Sequence, residues 1–277
     1  MTAGELKHLH RGSVPTKAWL ETAERFAHVA GAGEFGVVAA PPSLDWGRAR
    51  DRKNRIVGQL HRGLSGLLRS RGVEVVAGTG RLDLPGGVVV STEGGERRLE
   101  GRAVILATGA VPRSIPGYEF DGRRIVSSDH ALEWADRPER VAVIGAGAIG
   151  CEFASFLSDL GAKVHLFEVL PQILPGMEPE AAKVLHRELA GRKVEVRTGT
   201  AVGPAALGPD GVVVPFDGGS AAVDVVLVAV GRAPVTSGLG LEATRVETDR
   251  GFVKVDPSTQ QTAEPGVYAV GDIVAGT

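Results

Sequence analysis

The chain has 277 residues, of which 43% are hydrophobic and 23% charged, and its formal net charge is −2. This length suits one large or two ordinary domains, and the near-neutral charge argues against nucleic acid or an anionic membrane as a partner. No apolar run approaches the roughly 18 to 20 residues that cross a bilayer, and no apolar signal core opens the chain, so we expect a cytoplasmic protein.

Two helices are predicted first. Between residues 15 and 30, Trp19, Ala23 and Phe26 recur at helical spacing, and Pro15 lies in the first turn, where its missing N–H is harmless. Ser13 is a favourable N-cap for this helix. Residues 43–72 predict a second, long helix, and short β-type runs follow at 73–78, 81–84, 87–92 and 103–109.

From residue 140 the pattern changes to alternating strands and helices. Strands are predicted at 141–145, 163–168 and 193–198, with helices at 148–161 and 179–191 between them. Such alternation predicts an α/β fold with a parallel sheet and right-handed crossovers. Further strands are predicted at 212–216, 222–231, 252–256 and 267–272.

The strongest chemical signal is VAVIGAGAIGCEFA, in which Gly145, Gly147 and Gly150 form G-x-G-x-x-G between a strand and a helix. The first glycine permits a tight turn, the second lets the backbone approach a pyrophosphate, and the third lets helix and strand pack closely. The helix N-terminus then offers unpaired N–H groups to the phosphates. Glu168 ends the next strand, where a carboxylate binds the adenosine ribose and repels a 2′-phosphate, so the pattern predicts an NAD(H) site.

Two weaker signals flank this unit. One strand runs into Thr108 and Gly109, and another runs into Gly271 and Asp272. Taken alone, each is a strand followed by a turn, which is more often structural than functional. Their order around the glycine motif is what makes them informative.

Five segments together resemble a known family. In order along the chain they are RGSVPTK, ILATGAVPRSIPG, VAVIGAGAIGCEFASFLSDLGAKVHLFEVLPQILPGME, VAVGRAPVTSGLGLE and PGVYAVGDIVAGT. They are similar to motifs of the flavoprotein disulfide reductases, most of all the dihydrolipoamide dehydrogenases. The resemblance implies a Rossmann-like FAD/NAD(P)-binding fold in which an NAD domain is inserted into an FAD domain. Here residues 1–121 would form a partial FAD-binding domain, 122–255 the NAD-binding domain, and 256–277 the returning strand of the FAD domain.

The resemblance also implies roles for individual residues. Asp272 would bind the ribityl chain of the flavin, Thr108 and Gly109 would lie beside the FAD, and Gly231 would contact NAD. The cofactors implied are therefore NAD and FAD.

Lys17 and Glu152 match a family pair that forms an ion pair near the reactive flavin nitrogen. A fixed cation there stabilises the negative charge that develops on a reduced flavin. Without the resemblance, Lys17 is interpreted as a solvated helix residue and Glu152 as an acid that complements the helix dipole.

The redox pair of the family is not present in this chain. His8 and Ser13 occupy the two cysteine positions of the family's C-x4-C motif, and neither side chain can exchange with a disulfide. His8 and His10 lack further ligands at metal-binding spacing, so no metal is expected. The single cysteine, Cys151, has no partner for a disulfide and lies where a small packed residue is expected.

Two segments of the family also find no counterpart in the chain. The family places an FAD-binding glycine unit before the redox motif, so we expect FAD binding to be weak or absent here. The family's C-terminal dimerisation domain is likewise expected to be absent, which leaves the family's homodimer open.

Two classes of function are compatible with these patterns. The first is an incomplete or inactive oxidoreductase of the dihydrolipoamide dehydrogenase type, which transfers hydride between NAD(H) and FAD. A variant of it is a flavin-dependent NADH:acceptor oxidoreductase without a dithiol. The second is a non-catalytic NAD-binding module.

Overall fold

The structure is a computed structural model that describes residues 12–83 and 86–275. The chain divides into two compact units. Among the described residues, the larger unit comprises 12–62 and 112–231, and the smaller comprises 63–83, 86–111 and 232–275.

The α-helices are numbered along the chain: α1 (Ser13–Ala30), α2 (Trp46–Ser70), α3 (Ser128–Ala131), α4 (Ala148–Asp159) and α5 (Pro179–Gly191). The strands are β1 (Thr79–Asp83), β2 (Gly87–Thr92), β3 (Gly95–Glu100), β4 (Val104–Leu106), β5 (Ala110–Pro112), β6 (Ile125–Val126), β7 (Arg140–Ile144), β8 (Lys163–Phe167), β9 (Glu195–Arg197), β10 (Ala206–Gly208), β11 (Gly211–Phe216), β12 (Gly219–Val223), β13 (Val225–Val228), β14 (Arg232–Pro234), β15 (Thr248–Asp249), β16 (Phe252–Val253) and β17 (Val267–Ala269).

A five-stranded parallel sheet forms the centre of the larger unit, in the order β6-β13-β7-β8-β9. The α/β fold with a parallel sheet is therefore confirmed, as is the alternation of strands and helices from residue 140 onward. One sheet face packs against α4 and α5, and the other lies under the antiparallel strands β10, β11 and β12. Both faces are covered, which explains why the central strands β13 and β7 are apolar except for Arg140 at the exposed start of β7.

The predicted strand over 222–231 is instead two strands that belong to different sheets. The chain leaves β12 at Val223 and enters β13 at Val225. Between them the Asp224 carboxylate accepts hydrogen bonds from the Arg140 backbone N–H at 2.8 Å and from its Nε at 2.9 Å. An apolar run broken by one aspartate gave no sign of this change of sheet, because the bonds that cause it are formed with a distant residue.

Helices α1 and α2 also belong to the core around this sheet. The rings of Trp19 and Trp46 stack with their centroids 4.1 Å apart. Lys53 is buried, and its Nζ donates to the Leu132 carbonyl at 2.8 Å and pairs with Glu133 at 3.0 Å. A buried ammonium requires such partners, because an unpaired charge is costly to remove from water. The contacts fix α2 against the segment that follows α3.

The prediction that Ser13 is the N-cap of α1 is wrong by one residue. Gly12 occupies that position without a side-chain cap, and Ser13 is the first helical residue. The Thr16 hydroxyl donates to the Gly12 carbonyl at 3.0 Å, which helps the helix to begin one residue earlier.

The smaller unit contains short sheets. Strands β1, β2 and β3 form an antiparallel meander, and β4 pairs in parallel with β17. Pairs are also formed by β5 with β14 and by β15 with β16. The predicted strand at 73–78 is not formed, and Val73 and Val75 are exposed. Alternating valines favour a strand, but a strand also needs a neighbour for its backbone hydrogen bonds.

Within the described ranges, no helix has both the length and the apolar character needed to cross a membrane.

Candidate functional site

The glycine motif forms the turn between β7 and α4, as the sequence predicts. Gly145 has a φ of +97°, and a Cβ added to it would lie 2.6 Å from the Ala229 carbonyl oxygen. A Cβ on Gly150 would overlap the carbonyl of Gly145. A Cβ on Gly147, the N-cap of α4, would meet no atom within 4 Å. The outer two glycines are thus required for packing, whereas the middle one borders open space at the helix N-terminus, where an anion is favoured.

Glu168 directly follows β8, next to this loop. Its Oε2 accepts a hydrogen bond from the Ala146 N–H at 2.8 Å, and its Oε1 accepts one from the Leu170 N–H at 3.0 Å. The Glu168 side chain is buried. Each carboxylate oxygen retains a second lone pair, so neither oxygen has used its full capacity to accept hydrogen bonds.

A third loop, after β13, reaches the same edge of the sheet. The Ala229 N–H donates to the Ile144 carbonyl at 2.7 Å, and the Gly231 carbonyl accepts from the Arg113 N–H at 3.1 Å. Gly231 has a φ of +114°, which glycine adopts without strain. The carboxyl ends of β7, β8 and β13 therefore place Gly145, Glu168 and Gly231 at one edge, which is where open α/β sheets bind ligands.

Lys17 and Glu152 are brought together although 135 positions separate them. Their side chains form an ion pair between α1 and Glu152, the fifth residue of α4, so Glu152 lies just beyond the first turn of that helix. The Lys17 side chain is 58% exposed and that of Glu152 30% exposed. The pair is thus accessible from solvent, and it places a cation near the N-terminal end of α4.

The positions that match the family's dithiol carry no redox group. Ser13 is exposed at the start of α1, and His8 lies outside the described residues. Cys151 is buried, and its Sγ donates to the Ala146 carbonyl at 3.3 Å. Burial raises the pKa of the Cys151 thiol to about 11. A reactive thiolate needs a lowered pKa, so the environment of Cys151 is that of a packing residue, as predicted.

Thr108, Gly109 and Asp272 belong to the smaller unit. The Thr108 hydroxyl donates to the Val235 carbonyl at 2.6 Å, and the Gly109 carbonyl accepts from the Val235 N–H at 2.9 Å. Asp272 lies in a short 3-10 turn, with its Oδ2 3.7 Å from Arg232 Nε. The backbone of Val235 therefore holds the turn that contains Thr108 and Gly109.

Two residues at the site were missed by the sequence analysis. Leu174 donates its N–H to the Ala146 carbonyl at 2.7 Å, and the Arg113 guanidinium donates to the Val230 carbonyl at 3.2 Å. Neither position has a local sequence signal, because both act on backbone groups that only the fold brings near.

The comparisons with known proteins agree with this geometry. A family model described as pyridine nucleotide-disulphide oxidoreductase matches residues 3–277. Dihydrolipoyl dehydrogenase 3 of Pseudomonas aeruginosa is 39% identical over 277 residues, covering 97% of this chain and 59% of that protein. Dihydrolipoyl dehydrogenase of Bacillus subtilis is 34% identical over 288 residues, covering 97% of this chain and 60% of that protein.

A solved structure, that of LpdA from Mycobacterium tuberculosis, is also similar. Its TM-score is 0.89 at 26% sequence identity, and the match covers 98% of this chain and 60% of that one. The chain thus spans about three fifths of the length of the relatives that it matches.

Proposed function

Because the chain belongs to the pyridine nucleotide-disulphide oxidoreductase family, we propose that it binds NAD(H) through the glycine loop at residues 145–150. We propose further that it is an oxidoreductase of the dihydrolipoyl dehydrogenase type, as its curated relatives are named. In such a protein NAD supplies hydride transfer, and the chain's own residues bind and orient it. Residues 122–255 would be the NAD-binding domain, and 1–121 with 256–277 would be parts of the FAD-binding domain.

One observation carries the proposal for NAD(H). The open space in front of Gly147 lies at the N-terminus of a twelve-residue helix, beside the carboxylate of Glu168. The loop backbone can donate to a diphosphate, and Glu168 can accept from ribose hydroxyls. A 2′-phosphate next to Glu168 would be repelled, which favours NAD(H) over NADP(H).

The support for FAD is narrower. Thr108, Gly109 and Asp272 are the residues that match FAD contacts, and Lys17 with Glu152 matches the pair beside the reactive flavin nitrogen. None of these forms a diphosphate cradle comparable to residues 145–150. We therefore propose that this chain binds FAD weakly or not at all. The Lys17 ammonium, fixed by Glu152, would stabilise negative charge on a reduced flavin.

Dithiol exchange is not part of the proposal for this chain. Its one cysteine is buried with a raised pKa, and His8 and Ser13 cannot act as thiol nucleophiles. Turnover, where it occurs, would pass electrons from NADH through flavin to another acceptor. The same observation favours a second candidate function, that of a non-catalytic NAD-binding module.

An absorption spectrum of the purified chain, followed by titration with NADH, distinguishes the two. A flavin band that NADH bleaches would support the oxidoreductase and rule out the binding module. A colourless chain that binds NADH, reconstitutes no flavin band with added FAD and reduces no dye would rule out the oxidoreductase. Failure to bind NADH would contradict both.

A further inference from the structure

Ala146, the residue between the first two glycines of the loop, is fixed on both sides of its backbone. It is completely buried. Its N–H donates to Glu168 Oε2 at 2.8 Å. Its carbonyl accepts from the Leu174 N–H at 2.7 Å and from Cys151 Sγ at 3.3 Å. The orientation of both peptide units that flank Ala146 is therefore set by hydrogen bonds.

The second of these peptide units links Ala146 to Gly147. Because a peptide is planar and trans, its C=O and N–H point in opposite directions. The Ala146 carbonyl points towards Leu174 and Cys151, inside the protein. The Gly147 N–H consequently points the other way. A Cβ built on the same residue meets no atom within 4 Å, so there is room beside it. The direction of the Gly147 N–H is thus set by the groups that hold the Ala146 carbonyl.

Leu174, whose N–H donates to that carbonyl, has a backbone conformation that leucine rarely adopts. Its φ is +48°, in the left-handed region that is unfavourable for residues with a Cβ. Backbone strain of this kind persists where surrounding structure enforces it, and it clusters at functional sites. Ile173, next to it, is buried in the main core and anchors the loop. The Leu174 side chain packs at the margin of the same core.

We propose that Leu174 is a positioning residue for the nucleotide diphosphate, an inference that rests on the proposed NAD(H) site. Its left-handed backbone directs its N–H to the Ala146 carbonyl, which turns the Gly147 N–H outward before any ligand binds. Binding then requires no rearrangement of the loop. The backbone conformation of residue 174, rather than its side chain, carries the effect.

Three substitutions distinguish an effect of the Leu174 backbone conformation from an effect of its side chain: Leu174→Gly, Leu174→Asn and Leu174→Val. Glycine and asparagine tolerate a positive φ, whereas β-branched valine does not. Valine, however, retains most of the apolar volume, and glycine retains none. A role for the backbone therefore predicts that the glycine and asparagine variants bind better than the valine variant. A role for the side chain predicts that the valine variant binds better than the glycine variant. The probe is ADP-ribose, measured by titration calorimetry with the full chain, and thermal melting and amide hydrogen exchange at residue 174 are recorded for each variant.

We expect the glycine and asparagine variants to bind ADP-ribose within roughly threefold of the unaltered chain, and the valine variant to bind roughly tenfold more weakly. The amide of residue 174 should exchange faster in the valine variant alone. If the valine variant does not fold, retained affinity in the other two still supports the proposal, and a loss that is largest for glycine overturns it.

An order in which valine binds best, or equal affinity in all three variants, would also overturn the role of Leu174 while leaving the NAD(H) site intact. If the unaltered chain binds neither ADP-ribose nor NADH, the proposed function itself fails, and the role of Leu174 fails with it.

Discussion

The glycine loop allows binding and folding to be perturbed separately, through Gly147→Ala and Gly145→Ala. A Cβ at Gly147 meets no protein atom within 4 Å, and the residue's φ of −71° suits alanine. We therefore expect the free energy of unfolding to change by no more than about 1 kcal/mol, the usual scale of an N-cap substitution. The same Cβ would occupy the space in front of the Gly147 N–H, where a bound phosphate oxygen would lie about 2.9 Å from the nitrogen. We expect affinity for ADP-ribose to fall at least tenfold, roughly 1.4 kcal/mol.

Gly145→Ala, in contrast to Gly147→Ala, should mainly lower the stability of the fold. Its φ is +97°, and the added Cβ would lie 2.6 Å from the Ala229 carbonyl oxygen, a backbone atom that cannot move alone. Left-handed strain of about 1–2 kcal/mol and overpacking of about 1–3 kcal/mol together predict a loss of roughly 2–5 kcal/mol in the free energy of unfolding. The melting temperature should fall by roughly 5 to 15 °C.

Gly191→Ala is the matched control, because a Cβ at this last residue of α5 meets nothing within 4 Å and lies far along the chain from the loop. Both its melting temperature and its affinity for ADP-ribose should stay close to those of the unaltered chain. Calorimetric titration and thermal melting of the three variants complete the comparison. If Gly147→Ala binds ADP-ribose as tightly as the unaltered chain, the assignment of the diphosphate to this loop is refuted.

Three further predictions concern single side chains. Burial raises the pKa of the Cys151 thiol from 9.0 to about 11, so the folded chain should react slowly with a disulfide reagent at pH 8 and quickly in denaturant. The stability that comes from keeping this thiol protonated in the folded state should be full below pH 9. It should decline as the pH rises towards 11, since the unfolded thiol ionises first. Tyr118→Phe should lower the free energy of unfolding by about 1–3 kcal/mol in a denaturant titration, because the buried hydroxyl donates to the Gly203 carbonyl at 2.7 Å. An unchanged midpoint would argue against that bond. Lys17→Gln should change the free energy of unfolding by less than about 1 kcal/mol, since the ion pair of Lys17 with Glu152 is exposed. The same substitution should slow the bleaching of any bound flavin by NADH. Equal bleaching rates would contradict a role for Lys17 at the flavin.

Local periodicity predicted the elements that bury one face against the parallel sheet. The helix predicted at 179–191 has those bounds in the structure, because its apolar spacing and its proline in the first turn are both local properties. The strand predicted at 73–78 failed because valine alternation does not supply a neighbouring strand. The break at Asp224 was missed because its cause, Arg140, lies 84 positions away.

The sequence pattern G-x-G-x-x-G alone would not have identified the candidate site. Gly31, Gly33 and Gly36 also form G-x-G-x-x-G, in GAGEFG. That segment follows the C-terminus of α1 and forms a 3-10 turn that ends at Gly36, with a φ of +74°. A helix C-terminus presents carbonyl groups, which do not bind phosphate, so the strand before the motif at residues 145–150 is what distinguishes it.

The sequence by itself determined the order of strands and helices, the glycine turn with its acidic residue one strand later, and the absence of a cysteine pair. These are properties of residues close together in the chain, or of composition alone. The pairing of Lys17 with Glu152 was implied by the family resemblance, and the structure forms it. Only the tertiary structure decided that Glu168 accepts from the Ala146 N–H and that Leu174 adopts a left-handed backbone to donate to the Ala146 carbonyl. Each of these depends on hydrogen bonds or ion pairs between segments that become neighbours only when the sheet has formed, and no local pattern encodes such pairings.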